Sequence, residues 1–283
     1  MANIINGKLV AQQVKENVRN EVEQLKNSGV DICLAVVLVG NDPASKVYVR
    51  NKKLACEKVG IISKEILFDE NISQIELVSA IKDLNNNNKI NGILVQLPLP
   101  KHLDEKEIIR SIDPMKDVDA FHPVNVGKIM IGEYDFLPCT PAGIVDLIDS
   151  TGIDICGKNC VVVGRSNIVG KPMTMLLLNR HGTVTVCHSK TNNLIDFTKN
   201  ADILVAAVGI PNFITADMVK PDAVVIDVGI NRMQDGSLCG DVDFSNVEKV
   251  AGYITPVPGG VGPMTIAKLM ENTLRAAKKQ NSI

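Results

Sequence analysis

Ser45, Tyr48 and Lys52 recur at a spacing that places them on one face of a predicted helix over residues 43–59. A tyrosine ring could stack on a flat heterocyclic ligand, and a lysine in a desolvated site could transfer protons. The alternative is an ordinary amphipathic edge with a solvated charge. The helix therefore supplies a candidate catalytic pair whose context must come from other segments.

Gln96 lies at the carboxyl end of a predicted buried strand over residues 92–96. Ligands of open α/β sheets collect at the carboxyl ends of parallel strands. The chain must turn directly afterwards, because Pro98 and Pro100 cannot donate to a sheet ladder. Gln96 is thus a candidate ligand-facing amide, with a satisfied strand-end amide as the alternative.

Asp117 and Asp119 put two carboxylates into a predicted loop rather than onto a solvated helix. One of them could accept hydrogen bonds from an amino-substituted ring. A turn-forming aspartate is the alternative. His122 precedes Pro123, and we expect a structural role for it.

A glycine turn follows a buried strand at residues 161–172, which read Val-Val-Val-Gly-Arg-Ser-Asn-Ile-Val-Gly-Lys-Pro. Glycine lets a backbone approach a pyrophosphate, and the free amides of the next helix stabilise its charge. The run departs from the common Gly-x-Gly-x-x-Gly pattern, so an ordinary tight turn is the alternative. We predict a dinucleotide site here.

The next predicted strand, 184–187, ends in His188-Ser189-Lys190. A fold selective for NAD usually has an acidic residue at this point, which holds the ribose 2′-hydroxyl. None is present, whereas Arg165, Ser189 and Lys190 could bind a 2′-phosphate. The sequence therefore favours NADP over NAD.

A loop rich in glycine and proline, residues 255–265, separates the last predicted strand from the last helix. Such a loop can press closely against a ligand, although a plain connector is the alternative. We favour a ligand wall.

The elements that position these residues alternate between strands and helices, which predicts parallel sheets. The fold class is α/β, with an N-terminal parallel-sheet domain, a C-terminal Rossmann-type doubly wound domain and an interdomain cleft. We expect residues 1–139 to form the first domain, with helix 264–283 packing back on it, and residues 140–263 to form the second. Residues 113–141 are predicted as a site loop leading into the boundary.

The composition favours a globular protein with small-molecule ligands. Hydrophobic residues make up 45% and charged residues 22% of the 283 residues, and the formal net charge is −2. Neither a nucleic acid nor a membrane partner is expected. Seven scattered cysteines without a Cys-x-x-Cys pair indicate reduced thiols and no metal site, and we expect a cytoplasmic protein.

Taken together, five segments resemble the bifunctional methylenetetrahydrofolate dehydrogenase/methenyltetrahydrofolate cyclohydrolase family across essentially the whole chain. In chain order these are residues 48–52, 95–100, 117–119, 164–172 and 258–263. The resemblance implies oxidation of 5,10-methylenetetrahydrofolate by NADP and hydrolysis of the methenyl product to 10-formyltetrahydrofolate at the same site, without a metal. It also implies a homodimer and a role in one-carbon metabolism and purine biosynthesis.

The same resemblance implies roles for individual residues. Lys52 would manage protons in hydrolysis, Tyr48 would pack on the folate, Gln96 would position Lys52, and Asp119 would anchor the pterin. The implied cofactor contacts are Gly164, Arg165, Ser166, Ser189 and Ile230. The other implied substrate contacts are Leu97, Pro258, Gly259, Gly262, Pro263 and Thr265.

Ala120 departs from the family pattern, since many members have glycine after Asp-Val-Asp. We expect unchanged chemistry and an altered folate affinity. Two alternatives remain open at this point. One is another two-domain NADP oxidoreductase acting on a small acid, such as a shikimate dehydrogenase relative, and the other is a dinucleotide sensor without turnover.

Overall fold

Strands and helices alternate along the chain in the computed structural model, which describes residues 1–283. The helices are α1 (Gly7–Asn27), α2 (Pro43–Val59), α3 (Gln74–Asn86), α4 (Glu105–Ser111), α5 (Pro123–Ile131), α6 (Cys139–Asp149), α7 (Gly170–Asn179), α8 (Leu194–Thr198), α9 (Phe244–Val247) and α10 (Val261–Gln280). The strands are β1 (Asn3–Ile4), β2 (Cys33–Val39), β3 (Ile62–Phe68), β4 (Gly92–Val95), β5 (Asn159–Val163), β6 (Thr183–Cys187), β7 (Ile203–Ala206), β8 (Val224–Asp227), β9 (Asn231–Arg232), β10 (Leu238–Cys239) and β11 (Tyr253–Ile254).

The chain divides into two compact units, named here by their sheets. The three-stranded unit contains Gln13–Leu137 and Ile266–Ile283. The six-stranded unit contains Met1–Gln12 and Pro138–Thr265. Residues 266–283 thus group with residues 13–137: Asn272 on α10 donates to the carbonyl oxygens of Val118 and Leu137, each at 2.8 Å.

The three-stranded unit has a parallel sheet in the order β3-β2-β4. The central strand β2 is buried along its whole length, which suits its run of Leu, Ala and Val between two neighbours. The first strand of this sheet in chain order, β2, lies between the other two, so the winding direction reverses between β2 and β4. Ligands of such sheets bind outside the carboxyl ends at this switch point.

The six-stranded unit has an all-parallel sheet in the order β1-β11-β8-β7-β5-β6. Its five strands from the second half of the chain have the doubly wound arrangement, with the switch point between β5 and β7. The strands β9 and β10 form a separate antiparallel ribbon. The predicted Rossmann-type class is confirmed.

Local signals in the sequence account for the ends of the site helix α2. The Asp42 carboxylate accepts a hydrogen bond from the Ser45 amide at 2.7 Å, and Pro43 occupies the first turn. Gly60 ends the helix in the left-handed conformation with φ +82°. The predicted bounds of this helix are therefore confirmed.

Two expectations differ from the structure. Residues 123–131 form α5 instead of a loop, with the His122 ring capping the Val124 amide at 3.1 Å and Gly132 ending the helix. Residues 1–12 belong to the six-stranded unit, because Asn3 and Ile4 pair with β11. A two-residue strand is too short to show a hydrophobic period.

None of the helices combines the length and the apolar character needed to cross a membrane.

Candidate active site and dinucleotide site

Lys52 and Gln96 meet at the switch point of the three-stranded unit. Lys52 Nζ donates a hydrogen bond to Gln96 Oε1 at 2.9 Å. Gln96 Nε2 donates to the carbonyl oxygen of Leu97 at 2.6 Å, which directs the amide oxygen towards the lysine. The side-chain amide of Gln96 therefore uses its oxygen to hold the cationic side chain of Lys52.

The backbone fixes both partners of this pair. Gln96 continues β4, where its amide donates to the carbonyl oxygen of Val37 on β2 at 2.9 Å. Lys52 lies on α2, the helix that connects β2 to β3. Lys52 is half-buried, and its bond to Gln96 places the Nζ atom at the carboxyl end of the buried strand β4.

Ser45 and Tyr48 share the helix with Lys52 but differ in burial. Ser45 is buried, at 3% exposed, whereas Tyr48 is 44% exposed. A tyrosine of this exposure offers an apolar face to a ligand, as stacking on a heterocycle requires. The structure therefore leaves Tyr48 available for the contact predicted for it.

The two aspartates after β4 have different environments. Asp117 is almost fully buried and accepts hydrogen bonds from the His122 amide and from Asn125 Nδ2, both at 2.8 Å. Burial raises the pKa of this carboxyl group, although those donors oppose the change. Asp117 therefore organises the loop, and Asp119, which is only half-buried, remains as the ligand candidate.

Leu97 and Asp119 line a small cavity beside β4. Its other lining residues are Ile93, Leu94, Val95, Ile109, Ile112, Asp117 and Phe121. The cavity is mostly apolar and has room for little more than a water molecule, and Asp117 and Asp119 supply its carboxylates. Lys52, Gln96 and Tyr48 are outside this cavity.

Ala120 adopts the left-handed conformation, with φ +58°. L-residues other than glycine, asparagine and aspartate rarely adopt it, because the Cβ atom crowds the carbonyl oxygen. Glycine adopts this conformation without strain, so alanine is the less favoured residue at this position. The methyl group of Ala120 is fully buried.

The glycine turn of the six-stranded unit lies at the switch point between β5 and β7. Gly164 has φ +132°, and a Cβ atom there would overlap the carbonyl oxygen of Ala207. A Cβ atom on Gly170 would overlap Gly164 itself. Side chains are excluded at both positions because the turn packs closely against the loop after β7 and against the start of α7.

The residues predicted to contact the cofactor follow adjacent strand ends. Val163 pairs with Cys187, so Arg165 and Ser189 begin neighbouring loops, and both side chains are exposed. Ser166 Oγ accepts from the amides of Val169 and Gly170 at 3.1 and 3.3 Å, and therefore also shapes the turn.

Ile230 follows β8 and is 48% exposed. A Cβ atom on Gly262 would lie 3.8 Å from its Cδ1 atom, so the predicted cofactor contact adjoins the predicted ligand wall. Pro258 and Gly259 belong to the same loop, and Gly259 has φ +114°. Pro263 lies in the first turn of α10.

Thr265 has a partner that the sequence did not reveal. Its hydroxyl group lies 2.9 Å from the hydroxyl group of Thr140, which is on α6. The two residues are 125 positions apart, and no local pattern links them. The bond holds the start of α10 against α6.

The six-stranded unit fits a dinucleotide phosphate. Its turn leads from β5 directly into the amino end of α7, where the positive end of the helix dipole favours an anion. The loop after β6 supplies no carboxylate that would repel a 2′-phosphate, and Arg165 offers a guanidinium group. Fold and site together define a dinucleotide-dependent oxidoreductase of two α/β units.

Comparison with known families specifies that class. The catalytic-domain model of the tetrahydrofolate dehydrogenase/cyclohydrolase family matches residues 5–119, and the NAD(P)-binding-domain model of the same family matches residues 138–281. The chain belongs to this family.

Members of this family match the present chain over 99% or more of its length. A bifunctional protein FolD of Acetivibrio thermocellus is 61% identical, over 99% of this chain and 98% of the relative. The bifunctional FolD methylenetetrahydrofolate dehydrogenase/cyclohydrolase of Campylobacter jejuni is 49% identical with a TM-score of 0.97, over 99% of each chain. A Trypanosoma brucei enzyme of this type, complexed with NADP and an inhibitor, is 37% identical with a TM-score of 0.95, over 100% of this chain and 99% of that one. The family predicted from the sequence is confirmed.

Proposed function

We propose that this protein oxidises 5,10-methylenetetrahydrofolate with NADP and hydrolyses the resulting 5,10-methenyl cation to 10-formyltetrahydrofolate at one site. The observation that carries the proposal is the hydrogen bond between Lys52 and Gln96 at the carboxyl edge of β4. A sensor without turnover has no need of a lysine held in this way. Family membership over the full chain supports both activities.

Hydrolysis depends on the handling of protons. The methenyl carbon is electron-poor, so water adds to it, one carbon–nitrogen bond opens, and one proton is released with the 10-formyl product. Lys52 is the group assigned to that proton transfer, and such groups contribute about 10²- to 10⁴-fold in rate. Gln96 positions the lysine through its amide oxygen.

Folate binding is assigned to residues with complementary chemistry. Tyr48 presents an exposed ring for stacking, and Asp119 presents a carboxylate for the amino-substituted pterin. Leu97 contributes an apolar wall to the cavity beside Asp119. The remaining substrate contacts are assigned to Pro258, Gly259, Gly262, Pro263 and Thr265.

NADP binding is assigned to the six-stranded unit. Gly164 and Ser166 shape the turn that would hold the pyrophosphate, Arg165 and Ser189 would bind the 2′-phosphate, and Ile230 would be a further contact of the cofactor. When bound, NADP accepts the hydride that leaves the bridging carbon of the substrate. The chain's own contribution is orientation and the electrostatic environment.

Assembly as a homodimer and a cytoplasmic location with a role in purine biosynthesis complete the proposal. The free edge of β3 supports a second copy: this strand pairs only with β2, and Ile62 and Leu67 on it are 51% and 65% exposed. Sedimentation velocity of the full chain measures the assembly, and a monomer at micromolar concentration would contradict the proposed dimer.

The central experiment mixes the protein with 5,10-methylenetetrahydrofolate and NADP, with NAD in a parallel reaction. NADPH, the methenyl intermediate and the 10-formyl product are followed together. Production of NADPH and of the formyl product faster than spontaneous hydrolysis supports both activities.

Other outcomes have different meanings. NADPH with methenyl lost only at the spontaneous rate would leave a dehydrogenase alone. Binding of NADP without NADPH formation would favour a sensor, and NADPH formation with a small hydroxy acid alone would favour the other oxidoreductase.

A further inference from the structure

Two buried carboxylates of the six-stranded unit have no part in the chemistry described so far. Asp227 ends β8 and is 3% exposed, and Asp241 follows β10 and is fully buried. Ionised carboxylates are costly to bury unless hydrogen bonds compensate for the lost water. Their donors therefore show what the two side chains organise.

Asp241 holds the loop after β7 and the strand β9 through hydrogen bonds. Its Oδ2 atom accepts from the amides of Val208 and Gly209 at 2.7 and 2.9 Å, in the loop after β7. Its Oδ1 atom accepts from Asn231 Nδ2 at 2.9 Å. Asn231 directly follows Ile230, a residue assigned to the cofactor.

Asp227 holds Asp241 in place. Its carboxylate accepts from the amides of Gly229, Asp241 and Val242 at 3.0, 2.8 and 3.0 Å. A Cβ atom on Gly229 would overlap the Asp241 carboxylate, and one on Gly240 would overlap that of Asp227. The two side chains and two glycines thus form an interlocked network.

The loop held by Asp241 adjoins the dinucleotide turn. The Ala207 amide donates to the carbonyl oxygen of Val163 at 2.8 Å, and a Cβ atom on Gly164 would overlap the Ala207 carbonyl oxygen. The network therefore reaches the turn through Val208 and reaches Ile230 through Asn231.

We propose that Asp227 and Asp241 are positioning residues for the dinucleotide, holding the loop after β7 and the segment 229–231 in the conformation that binds NADP. The inference rests on the proposed function, because it requires NADP to bind this unit. A purely structural network would stabilise the unit without discriminating between NADP binding and folate hydrolysis. Hydrogen bonds to a charged group contribute about 1.5–3 kcal/mol each, which corresponds to roughly 10- to 100-fold in an equilibrium constant.

The test uses Asp241→Ala, Asp241→Asn and Asn231→Ala in the full-length protein. The matched control is Asp202→Ala, since Asp202 also accepts a backbone amide, from Asn159 at 2.9 Å, but precedes β7 at the opposite edge of the sheet. Calorimetry measures NADP affinity directly, and hydrolysis of 5,10-methenyltetrahydrofolate, which consumes no nucleotide, is measured on the same samples.

The expected result is an NADP affinity about 10- to 100-fold lower for Asp241→Ala, a smaller loss for Asp241→Asn and Asn231→Ala, and hydrolysis within about threefold of the unchanged protein. Asp202→Ala should keep its NADP affinity. Wild-type affinity in folded Asp241→Ala would overturn the inference, as would equal losses of NADP binding and hydrolysis.

Two further outcomes complete the test. If Asp241→Ala does not fold, unchanged NADP affinity in both Asp241→Asn and Asn231→Ala overturns the inference. Failure of the unaltered protein to bind NADP would instead contradict the proposed function, and this inference with it.

Discussion

Lys52 Nζ and Gln96 Oε1 lie 2.9 Å apart although 44 positions separate the residues in the chain. One residue comes from the helix after β2 and the other from the end of β4, and the parallel pairing of these strands brings them together. The contact joins the two residues that the proposed hydrolysis uses, Lys52 as the proton carrier and Gln96 as the group that orients it.

Lys52→Met should abolish most of the cyclohydrolase activity, by about 10²-fold or more, because the alkyl stem stays and the amine is lost. NADP affinity should remain unchanged, since the dinucleotide is assigned to the other unit. Lys53→Met is the control: Lys53 is adjacent and pairs with Glu65 at 2.9 Å. Full hydrolysis by Lys52→Met in a stopped-flow assay would contradict the assignment.

Gln96→Met should lower hydrolysis by about 10- to 100-fold, because it removes the acceptor that orients the ammonium group. Gln96→Glu should restore the contact and move the pH–rate profile to higher pH, since an adjacent negative charge favours the charged lysine. Identical profiles for Gln96→Glu and the unchanged protein would show that Gln96 does not act through Lys52.

Arg165→Ala should weaken NADP binding by about 10- to 100-fold and leave NAD binding nearly unchanged, because only NADP has the 2′-phosphate. Arg180→Ala is the control, since Arg180 pairs with Asp149 beyond the other end of α7. Titration with both dinucleotides measures the effect, and equal weakening for NAD and NADP would reject the role.

Ala120→Gly should preserve or raise stability, because the left-handed conformation costs a non-glycine residue about 1–2 kcal/mol. The expected gain is below that figure, since glycine also adds freedom to the unfolded chain. Ala142→Gly within α6 should instead destabilise by roughly 0.5–1 kcal/mol. Denaturant unfolding of the two variants tests the contrast, and comparable losses would show that Ala120 is unstrained.

Asp227→Asn should change how stability depends on pH. Burial raises the pKa of Asp227 to about 6, and backbone amide donors only partly oppose this. A raised pKa in the folded state contributes stability that is complete below the ordinary value and is lost as pH rises through about 6. The variant does not titrate, so its stability relative to wild type should improve between pH 4 and 7, by up to about 3 kcal/mol.

The control variant for the pH experiment should show the opposite dependence of stability on pH. Hydrogen bonding to Lys220 lowers the pKa of Asp202, so its contribution is present above the ordinary value and is lost as pH falls. The stability of Asp202→Asn relative to wild type should therefore fall as pH rises. Thermal unfolding across the pH range measures both variants, and the same sign for both would contradict the environments described.

Local patterns predicted most of the secondary structure, because the interactions that begin and end a helix join residues that are close together in the sequence. The bounds of α2 follow from a cap, a proline and a terminal glycine within its own segment, and α3 begins with a capping box between Ser73 and Glu76. The helix α5 was missed although His122, Pro123 and Gly132 provide the same kind of signal.

The sequence by itself determined the α/β class, the family and the residue types available for chemistry, because these follow from periodicity, caps and contiguous motifs. Tertiary structure alone decided which side chains face each other. It separated buried Asp117 from Asp119, placed the Thr140 hydroxyl against Thr265, and built the network of Asp227 and Asp241. These contacts join segments that become neighbours only when parallel strands pair, and no local pattern specifies which amide a buried carboxylate will meet.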